Sequence, residues 1–160
     1  MTLLFATALA GQFRLDDPDA ALTQPEREGL SAQAIVLSFD VHITVDDVLV
    51  TRGSMTEAVT KQAKVGQGLA ILLNPTNKNV AAYTGTRLGL VEGDDERIRM
   101  AGETSFATGA WSTGLGQMLT EAESLRRARA ESEFFRRVGL GTAIGACLGI
   151  LVAVLRRRGK

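Results

Sequence analysis

The chain has 160 residues, 45% hydrophobic and 22% charged, a balance that excludes an intrinsically disordered polymer. That length admits one domain with appendages and excludes two domains of ordinary size. Its 18 basic and 18 acidic side chains cancel, but residues 11–120 hold nine basic against fourteen acidic (net −5) and residues 121–160 hold nine against four (net +5).

Such asymmetry points to membrane or nucleic-acid contact. One cysteine, Cys147, excludes an internal disulfide and a multi-cysteine metal site, and one histidine, His42, excludes a His-rich one. At the N-terminus Leu3 to Ala10 is apolar, and Ala8-Leu9-Ala10 before Gly11 fits a signal-peptidase site. No basic residue precedes it, so residues 1–10 read as the last part of a signal peptide that starts upstream.

A capping box at Thr23-Gln24-Pro25-Glu26 predicts a helix over about 24–38, with Leu30, Ala34 and Leu37 on its inner stripe. The alternation in Val41 to Asp46 predicts a strand, with Val41, Ile43 and Val45 on one face and His42, Thr44 and Asp46 on the other. A second capping box at Ser54–Glu57 and a stop at Gly66 predict a helix over about 55–65. It leads to Leu69–Leu73, apolar on both faces as a covered central strand is. Strand, helix and strand imply a parallel pair with a right-handed crossover. The turn formers of residues 74–79 then predict an antiparallel partner over Val80–Thr84.

Beyond Gly85 the pattern is helical. One helix is expected from Asp94 to about Ala107, with Ile98, Ala101 and Phe106 inward. Another is expected with Ser112 as its cap and Leu115, Met118, Leu119, Ala122 and Leu125 inward. Residues 126–137 read as a charged helical stalk with Phe134 and Phe135 near a membrane interface. Val138 to Leu155 is a run of eighteen residues without a charge, roughly 27 Å as a helix and close to the thickness of a bilayer core. Arg136 and Arg137 precede it, and Arg156, Arg157, Arg158 and Lys160 follow it. Within it Gly141, Gly145 and Gly149 make one small stripe, a face through which two membrane helices can pack as a homodimer. Residues 156–160 would be a basic cytoplasmic or stromal tail.

Several landmarks together resemble the TPM domain family, which includes thylakoid-lumen phosphatase-like proteins, photosystem II repair proteins and bacterial membrane-anchored relatives. They are Leu15-Asp16-Asp17-Pro18, Leu22-Thr23 and Glu26-Arg27; Gly68 to Leu73; Asn79 to Gly85 with Leu88; and Phe106 to Gly109, Trp111 and Gly114-Leu115. The resemblance covers roughly residues 13–125. It implies an α/β, three-layer-like sandwich with a small mixed central sheet flanked by helices, here a domain over 11–125 followed by one transmembrane helix. It implies mixed functions: acid phosphatase, assembly or repair factor, or auxiliary subunit. It also implies that Asp94 and Asp95, with Asp46 at a strand end, line a divalent-cation site for Ca2+ or Mg2+. The chain departs from the family at Asn77-Lys78, where relatives carry an acidic residue and an arginine, and at Arg52-Gly53-Ser54, where they carry a small glycine-containing loop.

No phosphate-binding loop, Cys-x5-Arg loop or Ser-His-Asp order is present, and no catalytic residue is assigned. His42 reads as a surface or edge histidine, with an acid–base role as the sharper alternative. The basic tail has no aromatic interleaving, which excludes nucleic acid as the expected partner. The expectation is an extracytoplasmic domain in the periplasm, cell exterior or thylakoid lumen. A membrane helix anchors it to the bilayer, and it acts by contact on another membrane or envelope complex. The alternative is a low-specificity, divalent-cation-dependent acid phosphatase.

Overall fold

The structure, a computed structural model, describes residues 11–47, 57–59 and 68–158; the side chains of residue 87 and of residues 136–158 fall outside that description. The expected signal segment 1–10 and most of the expected helix 55–65 lie outside the described residues, although Glu57, Ala58 and Val59 are helical. The chain divides into two compact units, residues 1–126 and 127–160.

The first unit is built on a four-stranded sheet in the order β1 (Phe13–Asp16), β2 (Val41–Val45), β3 (Leu69–Asn74) and β4 (Asn79–Thr84). β1 and β2 are parallel, β2 and β3 are parallel, and β3 and β4 are antiparallel. The sheet is therefore mixed and small. β1 is an element the hydropathy pattern did not announce. Four residues are too few for periodicity to register, yet Phe13-Arg14-Leu15-Asp16 alternates as a strand must.

Helix α1 (Gln24–Ile35) joins β1 to β2 and ends three residues before the sequence expectation. Leu37 and Phe39 still turn inward from the loop that follows. Its start is a cap. The Thr23 amide and hydroxyl donate to Glu26 Oε2 at 2.8 and 2.7 Å, so the N-terminal turn is closed by a carboxylate, as the macrodipole favours. After β4 come a single 3-10 turn (Thr86–Leu88), α2 (Asp94–Ala101), α3 (Glu103–Ala107) and α4 (Trp111–Arg158).

The single helix expected over 94–107 is two helices, broken at Gly102. A Cβ at Gly102 would come within 2.6 Å of the Phe106 ring and 2.8 Å of the Gly114 carbonyl oxygen. The break lets Phe106 fold in beside α4, where its ring stacks on Trp111 at 6.1 Å between centroids. Ser112 is likewise not a cap. It sits inside the first turn of α4, and its hydroxyl donates to Glu26 Oε1 at 2.9 Å, joining the starts of α1 and α4.

Parallel register puts Val41, Ile43 and Val45 beside Leu69, Ile71 and Leu73 on one face. That face holds the main core, with Leu30, Ala34, Ile98, Phe106, Leu115, Met118, Leu119 and Ala122 packed in the same cluster. The opposite face of β3 and β4 offers Ala70, Leu72 and Ala81, which pack against Val59. Helical residues thus cover both faces, as a three-layer arrangement requires. α1 and Val59 lie on opposite faces of the sheet.

The β3–β4 turn is held by Asn74, whose side-chain oxygen accepts from the Asn77 amide at 2.9 Å. Lys78 adopts φ of 52° there, and its Nζ donates to the Ala107 carbonyl at 3.0 Å, at the negative end of α3.

A close backbone approach marks the start of β3. A Cβ at Gly68 would lie 2.0 Å from the Asp40 carbonyl oxygen, which already accepts from the Leu69 amide at 2.8 Å. Gly68→Ala should therefore destabilise the domain by at least about 2 kcal/mol, because a backbone oxygen has no rotamer to retreat into. Leu119→Ala, in the centre of the core, should cost about 2–5 kcal/mol. Denaturant titration of the two variants against the parent measures both.

Candidate functional site

The parallel register of β1 and β2 pairs Arg14 with His42 and Asp16 with Thr44, so four polar side chains share the sheet face opposite the main core. His42 Nε2 lies 2.8 Å from Asp16 Oδ2. Arg14 Nε donates to both oxygens of the same carboxylate at 3.1 and 3.0 Å. The His42 hydrogen bond, with Arg14 as a second contributor, holds the Asp16 carboxyl below its ordinary pKa against the opposing effect of burial. The His42 side chain is 25% exposed and that of Asp16 39%, so the pair is solvent-reachable.

A carboxylate-held imidazole is an acid–base group with a fixed ring orientation, and Arg14 adds a cation beside it. Sequence reasoning placed His42 on the polar strand face and missed its partner. The signal was present in the alternation of Arg14 and Asp16, which matches that of His42 and Thr44 once β1 is known to be a strand.

The candidate metal residues stand as follows. Asp46 follows β2, and its amide donates to the Leu73 carbonyl at 2.9 Å. Asp94 opens α2 and is buried; its Oδ2 accepts from the Val91 amide at 3.0 Å. Asp95 Oδ1 accepts from the Glu96 amide at 3.0 Å. Among the described residues, no group of three His, Cys, Asp or Glu side chains is arranged to hold a metal ion.

Other acids near the strand ends also bind backbone. Asp17 accepts from the Ala21 and Leu22 amides at 2.9 and 3.1 Å and pairs with Arg27 at 2.9 Å. Asp47 accepts from the Thr76 amide at 3.2 Å, fastening the end of β2 to the hairpin turn.

A separate open groove of about 520 Å³ lies between α1 and α4, lined by Gln33, Ser112, Gly116, Gln117, Thr120 and Glu121 among others. Gln33 Nε2 donates across it to the Gly116 carbonyl at 3.0 Å and to the Thr120 hydroxyl at 3.1 Å. Its hydroxyl nearest a carboxylate is Ser112, bonded to Glu26. Hydrogen bonds from the Thr23 side chain, the Thr23 amide and Ser112 hold Glu26 below the ordinary glutamate pKa. The Ser112–Glu26 contact joins the starts of α1 and α4.

Among the described residues no helix is long and apolar enough to cross a membrane, and the side chains of the uncharged run 138–155 lie outside the described set. The Gly141, Gly145 and Gly149 stripe falls within that run.

No family model matches the chain, and no curated protein matches it. Among solved structures, the solution structure of the N-terminal domain of the cg2496 protein from Corynebacterium glutamicum is similar. The TM-score is 0.54 at 13% identity, covering 81% of this chain and 84% of that one. At that identity the likeness is one of fold.

Because the Asp16 carboxyl is held below its ordinary pKa of 3.8, its ionised form stabilises the fold. That contribution is complete above the ordinary value and is lost as pH falls through the lowered one. Asp16→Asn should be less stable than the parent near pH 7 by roughly 0.2–1 kcal/mol, the range for a solvent-screened pair. The two proteins should converge in acid once Asp16 is protonated. Chemical denaturation at a series of pH values reads the difference directly.

Proposed function

We propose that this chain is a membrane-anchored, extracytoplasmic accessory protein with a TPM-like domain, acting by contact in the assembly, maintenance or repair of a membrane complex. One observation carries the reading. A single helix, α4, contains both the core positions Leu115, Met118, Leu119 and Ala122 and the uncharged run of residues 138–155. The uncharged run thus belongs to the same helix as four core positions of the domain. Residues 127–135 of that helix are exposed throughout, as befits a stalk in water. The bilayer and a second membrane or envelope complex are the proposed partners, and a homodimer through the Gly141, Gly145 and Gly149 face is compatible with them.

A second reading is favoured by one specific arrangement, the Arg14–Asp16–His42 cluster. An oriented imidazole beside a guanidinium is a plausible start for phosphoryl chemistry, and the corresponding activity would be a low-specificity acid phosphatase dependent on Ca2+ or Mg2+.

Two measurements separate the readings. Full-length protein should stay with membranes through alkaline carbonate washing, and crosslinking in its native membrane should recover one stoichiometric complex. Release by carbonate, or recovery of the chain alone, would count against the accessory role. The phosphatase reading requires hydrolysis of a generic aryl phosphate that falls at least about a hundredfold in His42→Ala, the low end of an acid–base contribution.

A further inference from the structure

The stalk ends on two side chains that its own unit leaves uncovered. Phe134 and Phe135 are 62% and 70% exposed, and their rings meet edge to face at 5.9 Å. The seven preceding residues, Arg127 to Glu133, are polar or alanine and all exposed. The phenylalanines are thus the first large apolar surface along this part of the helix. Adjacent positions on an α-helix point about 100° apart. A groove on one protein partner meets one helix face and would cover one ring well and the other poorly. An environment that surrounds the helix covers both.

The residues that follow specify that environment. Arg136 and Arg137 come next, and the uncharged run begins at Val138. Aromatic rings, then two cations, then an apolar span is the order in which a helix meets a headgroup layer. The rings lie at the interface, and the long cationic side chains reach lipid phosphates. We propose that Phe134, Phe135, Arg136 and Arg137 form an interfacial collar that seats the start of the membrane helix among anionic lipid headgroups. The proposal rests on the anchored reading above and deepens it, naming anionic phospholipid as the partner of this segment. The collar sets the depth at which the helix enters the bilayer, and the arginines select the lipids around it.

The test uses full-length protein reconstituted into vesicles of phosphatidylcholine and phosphatidylglycerol at about three to one, a composition that gives a negative surface potential. Phe134→Trp and Phe135→Trp serve as reporters, with the parent's Trp111 emission subtracted. Both reporters should emit blue-shifted light and be quenched more by bromines placed high on the acyl chain than by deep ones. Bromine on phosphatidylglycerol should quench more than bromine on phosphatidylcholine, an enrichment of about fivefold for each arginine that reaches the headgroups. Arg136→Gln with Arg137→Gln should abolish the enrichment while the protein still floats with the vesicles. Water-like emission from both reporters in floating protein overturns the collar alone. Blue-shifted emission from both reporters that bromine at no depth quenches overturns it in favour of a protein contact over the rings. Failure of the parent chain to float overturns the anchored reading itself.

Discussion

β3 is buried along its whole length, Leu69 to Asn74, and most other features of the domain follow from that. A fully buried strand can leave no amide or carbonyl unpaired, so it needs a neighbour on each edge. β2 supplies one in parallel and β4 the other in antiparallel. It also needs cover on both faces. The main core covers Leu69, Ile71 and Leu73, and Val59 covers Ala70 and Leu72. Gly68 allows the chain to enter the strand against the Asp40 carbonyl, where no side chain fits.

The helical layer is ordered by a second set of contacts, among small residues and one carboxylate. Glu26 caps α1 and also accepts from Ser112 of α4, so one side chain sets the start of two helices that are far apart in sequence. Gly102 and Gly114 make room for the Phe106 ring, which then stacks on Trp111. The break between α2 and α3 is therefore a packing requirement and not a weakness of helix propensity. The same economy appears among the acids. Asp17, Asp47 and Asp94 use carboxylate oxygens on backbone amides, so these acids shape loops.

The polar cluster of Arg14, Asp16 and His42 depends on the sheet's edge. β1 is short and, among the described residues, pairs with β2 alone, and its polar side chains meet His42 because the parallel register sets Arg14 beside His42. A shift of one residue would carry Arg14 and Asp16 to the core face, so the register that packs the half-buried Phe13 and Leu15 against the core also builds the cluster.

Much of this was legible from residue order. Alternation in Val41 to Val45, the apolar run at Leu69 and the turn formers after it specify three of the four strands, because each signal is local. The capping box at Thr23 specifies where α1 starts, and the spacing of Leu115, Met118, Leu119, Ala122 and Leu125 specifies the inner face of α4. The eighteen uncharged residues after Arg137 and the division of charge into −5 and +5 are likewise properties of the chain alone. Tertiary structure decided the rest. β1 is a strand because β2 offers it an edge, not because four residues insist on it. Ser112 binds Glu26, and Gly102 breaks a helix, because of atoms eighty-six residues and four residues away respectively. His42 acquires Asp16 across twenty-six residues. Local pattern reports which face a side chain takes, whereas only the assembled sheet and helices decide which side chain it meets there.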